Sequence, residues 1–82
     1  MEDKIRDIIG SHARLTVSAN SLPEEADLYA VGMSSQASVS IMVALEDEFG
    51  VEFPDSMLKR SVFQSIASIR AAVSEIQGKA AA

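Results

Sequence analysis

The stretch Asp27-Leu28-Tyr29-Ala30-Val31-Gly32-Met33-Ser34-Ser35 runs straight into Gln36-Ala37-Ser38-Val39-Ser40-Ile41-Met42-Val43-Ala44-Leu45, and this junction decides the fold. A glycine-bearing loop ends on two serines, and serine is a preferred helix N-cap, so a helix is predicted to start at Ser34 or Ser35. It should run to Phe49, with Gly50 as its stop, because glycine tolerates the left-handed backbone that ends many helices. Ile41 to Leu45 is apolar on nearly every side, which predicts a helix enclosed at the centre of a bundle. Glu46, Asp47 and Glu48 then turn it polar near its end.

Upstream, Ile5, Ile8, Ile9 and His12 fall on one stripe at helical spacing, which gives a first amphipathic helix ending near Ser11 or His12. From about Ala13 to Ser34 no periodicity is sustained. A connection of that length in a compact domain is functional or packed down by its own side chains, here Leu15, Leu22, Leu28, Tyr29 and Val31. Downstream, an extended Val51-Glu52-Phe53 leads to Pro54 and Asp55, which could open a brief third helix through about Arg60 with Met57 and Leu58 inward and Lys59 and Arg60 at its end. Val62, Ile66, Ile69, Val73 and Ile76 define a last helix, with Ser61 and Gln64 as a capping box and Gly78 as its stop. The reading is an all-α bundle of three main helices plus one short helix, with a long loop between helices one and two. Residues 1–77 form a single domain and residues 78–82 a flexible C-terminal tail.

Composition narrows the function. Eighty-two residues suffice for one core only. With 48% hydrophobic and 23% charged residues the chain is globular, not disordered. It has no cysteine, which excludes disulfides and thiolate metal sites and suits a reducing, cytoplasmic setting. No apolar run has the length of a membrane span, and Met1-Glu2-Asp3 does not open like a signal peptide, so no membrane partner is expected. A net charge of −5 argues against nucleic acid, whose phosphates need clustered Lys and Arg, and favours partners with basic patches.

Chemistry is sparse. One histidine and no nucleophile elbow leave a hydrolase triad without a base and an orienting acid, so no catalytic residue is assigned. Glu46, Asp47, Glu48, Glu52 and Asp55 lack the spacing of a calcium loop and read as a solvated face, so no metal site is assigned. Ser35 is the residue of interest. A hydroxyl at the exposed start of a helix is open to a modifying enzyme, and an anion attached there sits beside unpaired backbone N–H groups at the positive end of the helix dipole.

Two segments together carry a resemblance. Leu28-Tyr29-Ala30-Val31-Gly32-Met33-Ser34-Ser35-Gln36 is similar to the Leu-x-x-Leu-Gly-x-Asp-Ser-Leu segment of the acyl carrier protein family. Ala44-Leu45-Glu46-Asp47-Glu48-Phe49-Gly50-Val51-Glu52-Phe53-Pro54-Asp55 resembles that family's Ala-Leu-Glu-Glu-Glu-Phe-Gly-Ile-Glu-Ile-Pro-Asp run at the matching separation. The resemblance implies that Ser35, not Ser34, bears a covalent 4′-phosphopantetheine arm. The arm would be taken from coenzyme A by a phosphopantetheinyl transferase. Ser34 replaces the family's Asp and Gln36 its Leu, and Ala37-Ser38-Val39-Ser40 replaces the acidic first turns on which basic enzymes dock. Those departures do not fit a housekeeping fatty-acid carrier.

The Ser34-Ser35 pair, the Ala26-Asp27-Leu28-Tyr29-Ala30 approach and the Phe-Pro-Asp-x-x-Leu-x-Arg stretch from Phe53 to Arg60 resemble a narrower group, the aminoacyl carrier proteins. For these, the resemblance implies loading by an amino acid:[carrier protein] ligase similar to a class II aminoacyl-tRNA synthetase. A small amino acid of glycine or alanine type would be held as a thioester. Met33, Ser34, Gln36, Met57, Lys59 and Arg60 are the candidate partner contacts around the arm. Two other readings stay open: an acyl carrier for a specialised fatty-acid, lipid or polyketide pathway, and an unmodified acidic helical adaptor.

Overall fold

The computed structural model describes residues 1–81, with side chains through Gly78. Its helices are α1 (Glu2–His12), α2 (Ser35–Phe49) and α3 (Ile66–Ala81), with two single 3₁₀ turns at Ala19–Ser21 and Asp55–Met57. Among the described residues there is no strand, and the all-α expectation holds. Ile5 and Ile9 of α1, Ile41 and Leu45 of α2, and Ile66, Ile69 and Val73 of α3 are fully enclosed. The spacing of each set, three or four residues, puts it on one helical face, and the three faces meet in a single core. α1 packs against both other helices.

α2 begins and ends where its sequence asks. The Ser34 hydroxyl accepts the Ala37 N–H at 3.0 Å, and Gly50 takes φ 61° and ψ 39° so that its own N–H reaches the Glu46 carbonyl. The helix is not enclosed, however. Val39 is 57% exposed and Val43 48%, because the rest of the chain covers only the Ile41–Leu45 side. The continuous apolar run marks a two-faced helix with an outward apolar side, not a central one.

The 13–34 connection is tied down by its own buried side chains and by hydrogen bonds within itself, to α1 and to the start of α3. Ala19, Leu22, Leu28 and Met33 are buried. Arg6 donates from α1 to the Ala19 and Leu22 carbonyls at 2.8 and 2.7 Å. Thr16 N–H donates to the Val31 carbonyl at 2.9 Å, Leu28 N–H to Gln64 at 2.7 Å, and Ala67 N–H to Glu24 at 2.8 Å. Gly32 closes this arch at φ 114°, a conformation L side chains rarely adopt, and a Cβ there would lie 3.0 Å from the Arg14 carbonyl oxygen.

Four expectations downstream of α2 change. The brief third helix is a single 3₁₀ turn at Asp55–Met57, and Lys59 and Arg60 lie in the turn beyond it rather than at a helix end. Leu58 does not face inward; it is 49% exposed, while Met57 packs against the core. The capping box is Ser65 with Ser68, not Ser61 with Gln64. The Ser68 N–H donates to the Ser65 hydroxyl at 3.1 Å and the Ser65 N–H to the Ser68 hydroxyl at 3.0 Å. Gln64 cannot lead the helix because its carbonyl is taken by Leu28 N–H, and its side-chain amide points to Asp27 at 3.5 Å. α3 also continues past Gly78. The expected tail, residues 78–82, overlaps this helix up to Ala81; residue 82 and the side chains of 79–81 lie outside the described residues.

Candidate functional site

The site forms where the arch meets α2. Met33, 3% exposed, anchors the end of the loop in the core, and its N–H donates to the Leu28 carbonyl at 3.0 Å. The chain then emerges at two exposed serines with different employment. Ser34 caps α2. Ser35 is the first helical residue, and its hydroxyl makes no hydrogen bond to any described residue, although its carbonyl accepts the Ser38 hydroxyl at 2.6 Å. The first turn of α2 holds no acidic side chain, so the positive end of the helix dipole is not neutralised there.

Beside Ser35 lies a half-open groove of about 370 Å³ between α2 and the 58–63 turn. Val39, Met42, Leu58 and Phe63 give it an apolar lining, and Ser35, Ser38, Tyr29, Lys59 and Arg60 supply the polar atoms. The Arg60 guanidinium lies over the Tyr29 ring, 3.9 Å from its centroid, which fixes a long side chain at the groove wall. Phe63 is held in turn by Phe53, ring centroids 5.6 Å apart. Phe53 is drawn back toward α2 because its N–H donates to Glu46 Oε2 at 2.9 Å, so this glutamate, one of the acidic run, ties down the backbone behind the groove.

The predicted residues divide cleanly. Ser35, Lys59 and Arg60 line one groove. Ser34 and Gln36 are exposed beside it. Met57 is half-buried against the core and lies outside the groove lining. Met33 is corrected: its burial leaves it no surface to offer a partner, and it serves the packing of the loop. Tyr29, Val39, Met42, Leu58 and Phe63 are the groove residues that sequence reading did not single out as site residues. The i, i+3, i+4, i+7 spacing of Ser35, Ser38, Val39 and Met42 was the available signal on α2; the Tyr29–Arg60 stack had none.

A second cluster braces the loop away from the groove. Arg70 of α3 pairs with Glu2 and with Glu24, and Glu2 also pairs with Arg6 at 3.1 Å. The Arg70 guanidinium, by hydrogen bond and by charge, holds the Glu24 carboxyl below the usual glutamate range.

Known proteins agree with this geometry. Residues 3–76 match the family model described as a phosphopantetheine attachment site. The chain is 43% identical over 83 residues, spanning 100% of both chains, to the aminoacyl carrier protein of Agrobacterium fabrum. Its fold matches a solution structure of an Agrobacterium tumefaciens protein at TM-score 0.74 and 43% identity, covering 100% of each chain. It also matches a chain in the crystal structure of an engineered Bradyrhizobium japonicum glycine:[carrier protein] ligase complexed with carrier protein from Agrobacterium tumefaciens and AMP. There the TM-score is 0.87 and the identity 42%, over 90% of this chain and 99% of that one. No described helix is long and apolar enough to cross a membrane. With these matches the family is shown: the chain belongs to the phosphopantetheine-attachment family, among the aminoacyl carrier proteins, and is a carrier of covalent 4′-phosphopantetheine rather than an enzyme.

Proposed function

We propose that Ser35 bears the arm and that the cargo is a small amino acid of glycine or alanine type, loaded in the cytoplasm by a ligase similar to a class II aminoacyl-tRNA synthetase. The observation that carries the assignment is the division of labour between the two serines: Ser34 spends its hydroxyl on the helix cap, whereas the exposed Ser35 hydroxyl is unbonded. The residues fit a phosphodiester-linked group. The attachment oxygen lies at a helix start free of acidic side chains, and Lys59 and Arg60 line the groove it opens into. Bound at Ser35, the arm supplies the thiol that this cysteine-free chain lacks, and cargo is held there as a thioester.

Attachment requires the Ser35 oxygen to attack the phosphorus of coenzyme A next to the pantetheine. A new O–P bond forms, the pyrophosphate linkage breaks, and 3′,5′-ADP leaves. The base and the Mg²⁺ belong to the phosphopantetheinyl transferase. The small amino acid is supported by the relatives: one solved structure pairs a carrier protein with a glycine:[carrier protein] ligase. An aminoacyl cargo also suits the fold, because burying its ammonium unpaired in the apolar core would be unfavourable.

Intact-protein mass spectrometry after incubation with coenzyme A and a promiscuous transferase tests the site. Wild type and Ser34→Ala should gain the arm and Ser35→Ala should not. Loading assays with ATP, the ligase and a panel of amino acids test the cargo, with glycine and alanine expected to lead. If fatty acyl groups load instead and raise the melting temperature of the carrier, the specialised acyl-carrier reading takes over.

A further inference from the structure

Resting on the assignment of the arm to Ser35, we propose that the groove beside that residue is a seat for the proximal half of the carrier's own arm, with Lys59 and Arg60 gripping the phosphodiester. The unoccupied charges lead to this. The chain is acidic, at −5, and three of its seven basic side chains are committed: Lys4 to Glu48, Arg6 to Glu2, and Arg70 to Glu2 and Glu24. Lys59 and Arg60 are adjacent, make no ion pair with any described residue, and line the same groove as Ser35. Arg14, likewise outside any ion pair, borders a different pocket, remote from Ser35 in its lining.

Two neighbouring cations repel each other, so a shared anion between them is favoured by both. Tyr29 holds the Arg60 guanidinium by its face, which leaves the edge N–H donors available. A phosphodiester keeps one negative charge across the whole working pH range, so it is a permanent partner. The rest of the groove suits the next portion of the arm: Val39, Met42, Leu58 and Phe63 offer apolar surface to its methyl and methylene carbons, and Ser38 a hydroxyl beside its amide. The same cations repel the α-ammonium of an aminoacyl thioester. Sign of charge therefore sorts the two ends, with the phosphodiester kept in and the loaded end kept out where an enzyme can reach it.

Amide ¹H–¹⁵N spectra of the apo and holo forms, with mass analysis of each sample, test the seat. Expected are shifts at Val39, Met42, Leu58, Lys59 and Arg60 on arm attachment, besides those next to Ser35. They should shrink at 1 M salt, where the screening length falls to about 3 Å. They should vanish in the exposed double variant Lys59→Gln/Arg60→Gln, compared in apo and holo samples whose arm attachment is verified by mass. Mass gain with shifts confined to residues 34–38 refutes the seat and leaves the Ser35 assignment intact. Absence of mass gain in wild type refutes both. The salt experiment reads the wild-type chain and so does not depend on the variant folding.

Discussion

Ser34→Ala deletes the hydroxyl that accepts the Ala37 N–H at 3.0 Å and so uncaps α2, whereas Ser35→Ala deletes a hydroxyl bonded to no described residue. Loss of a serine cap costs about 1 kcal/mol. A chain of 82 residues has an unfolding entropy of roughly 170 cal/mol/K at about 2.1 cal/mol/K per residue, so that loss lowers the melting temperature by about 6 °C. For Ser35 the sign reverses. Alanine exceeds serine in helix propensity by about half a kcal/mol, so Ser35→Ala should melt at the same temperature or up to about 3 °C higher. Modification runs the other way: Ser34→Ala gains the arm and Ser35→Ala does not. Circular dichroism melts of the apo proteins and intact mass after transferase treatment read both columns. A destabilised Ser35→Ala beside an unperturbed Ser34→Ala would refute the capping geometry. Mass gain on Ser35→Ala would refute the attachment site.

Gly32→Ala should destabilise by about 1–3 kcal/mol, because φ 114° and a 3.0 Å approach to the Arg14 carbonyl oppose any Cβ. Gly50→Ala, at φ 61° with nothing within 4 Å, should lose only about 1 kcal/mol; urea midpoints in the reverse order would refute the difference. Glu24→Gln should lower the melting temperature near neutral pH but not in acid. Glu24 is depressed by Arg70, so its contribution is present above the ordinary glutamate pKa and is lost as pH falls through the folded one. Melts from pH 7 to pH 3 check this, and a gap that stays constant across the series would contradict it. Attachment of the arm should raise the melting temperature by a few degrees, on the scale of about 0.3–1 kcal/mol for an anion at a helix start. A holo protein that melts below the apo protein would refute that.

The fold was legible where one residue type dictates local geometry. Ser34 and Gly50 bounded α2 because a cap and a left-handed stop each have few candidates, and Ile5 and Ile9 or Ile69 and Val73 declared their faces by spacing. Legibility failed where a distant partner decides. Ser61-Val62-Phe63-Gln64 has a good helix-start pattern, yet the Leu28 N–H claims the Gln64 carbonyl from 36 positions upstream, and the helix begins later. Met33 read as a candidate partner contact because it lies two residues from Ser35, but its side chain is buried in the core. Within the site, Ser35 could be singled out from sequence as the candidate because two motifs flank it. The groove could not, since it depends on Arg60 crossing to Tyr29 and on Leu58 turning outward.

An acidic chain that must accept one more negative charge poses a problem of distance rather than total charge. At physiological ionic strength the screening length is about 8 Å. Asp47, the first acidic residue of α2 beyond the half-buried Glu46, is twelve positions from Ser35 along the helix, about 18 Å at 1.5 Å per residue, so its repulsion is largely screened. Nearer at hand the signs are favourable: unpaired N–H groups at the helix start, no acid in the first turn, and two cations on the groove wall. The Ala37-Ser38-Val39-Ser40 sequence, which against fatty-acid carriers looks like a lost docking surface, therefore has a local consequence as well. Acidic side chains there would compete with the phosphodiester for Lys59 and Arg60. Their absence leaves both cations to the group proposed at Ser35.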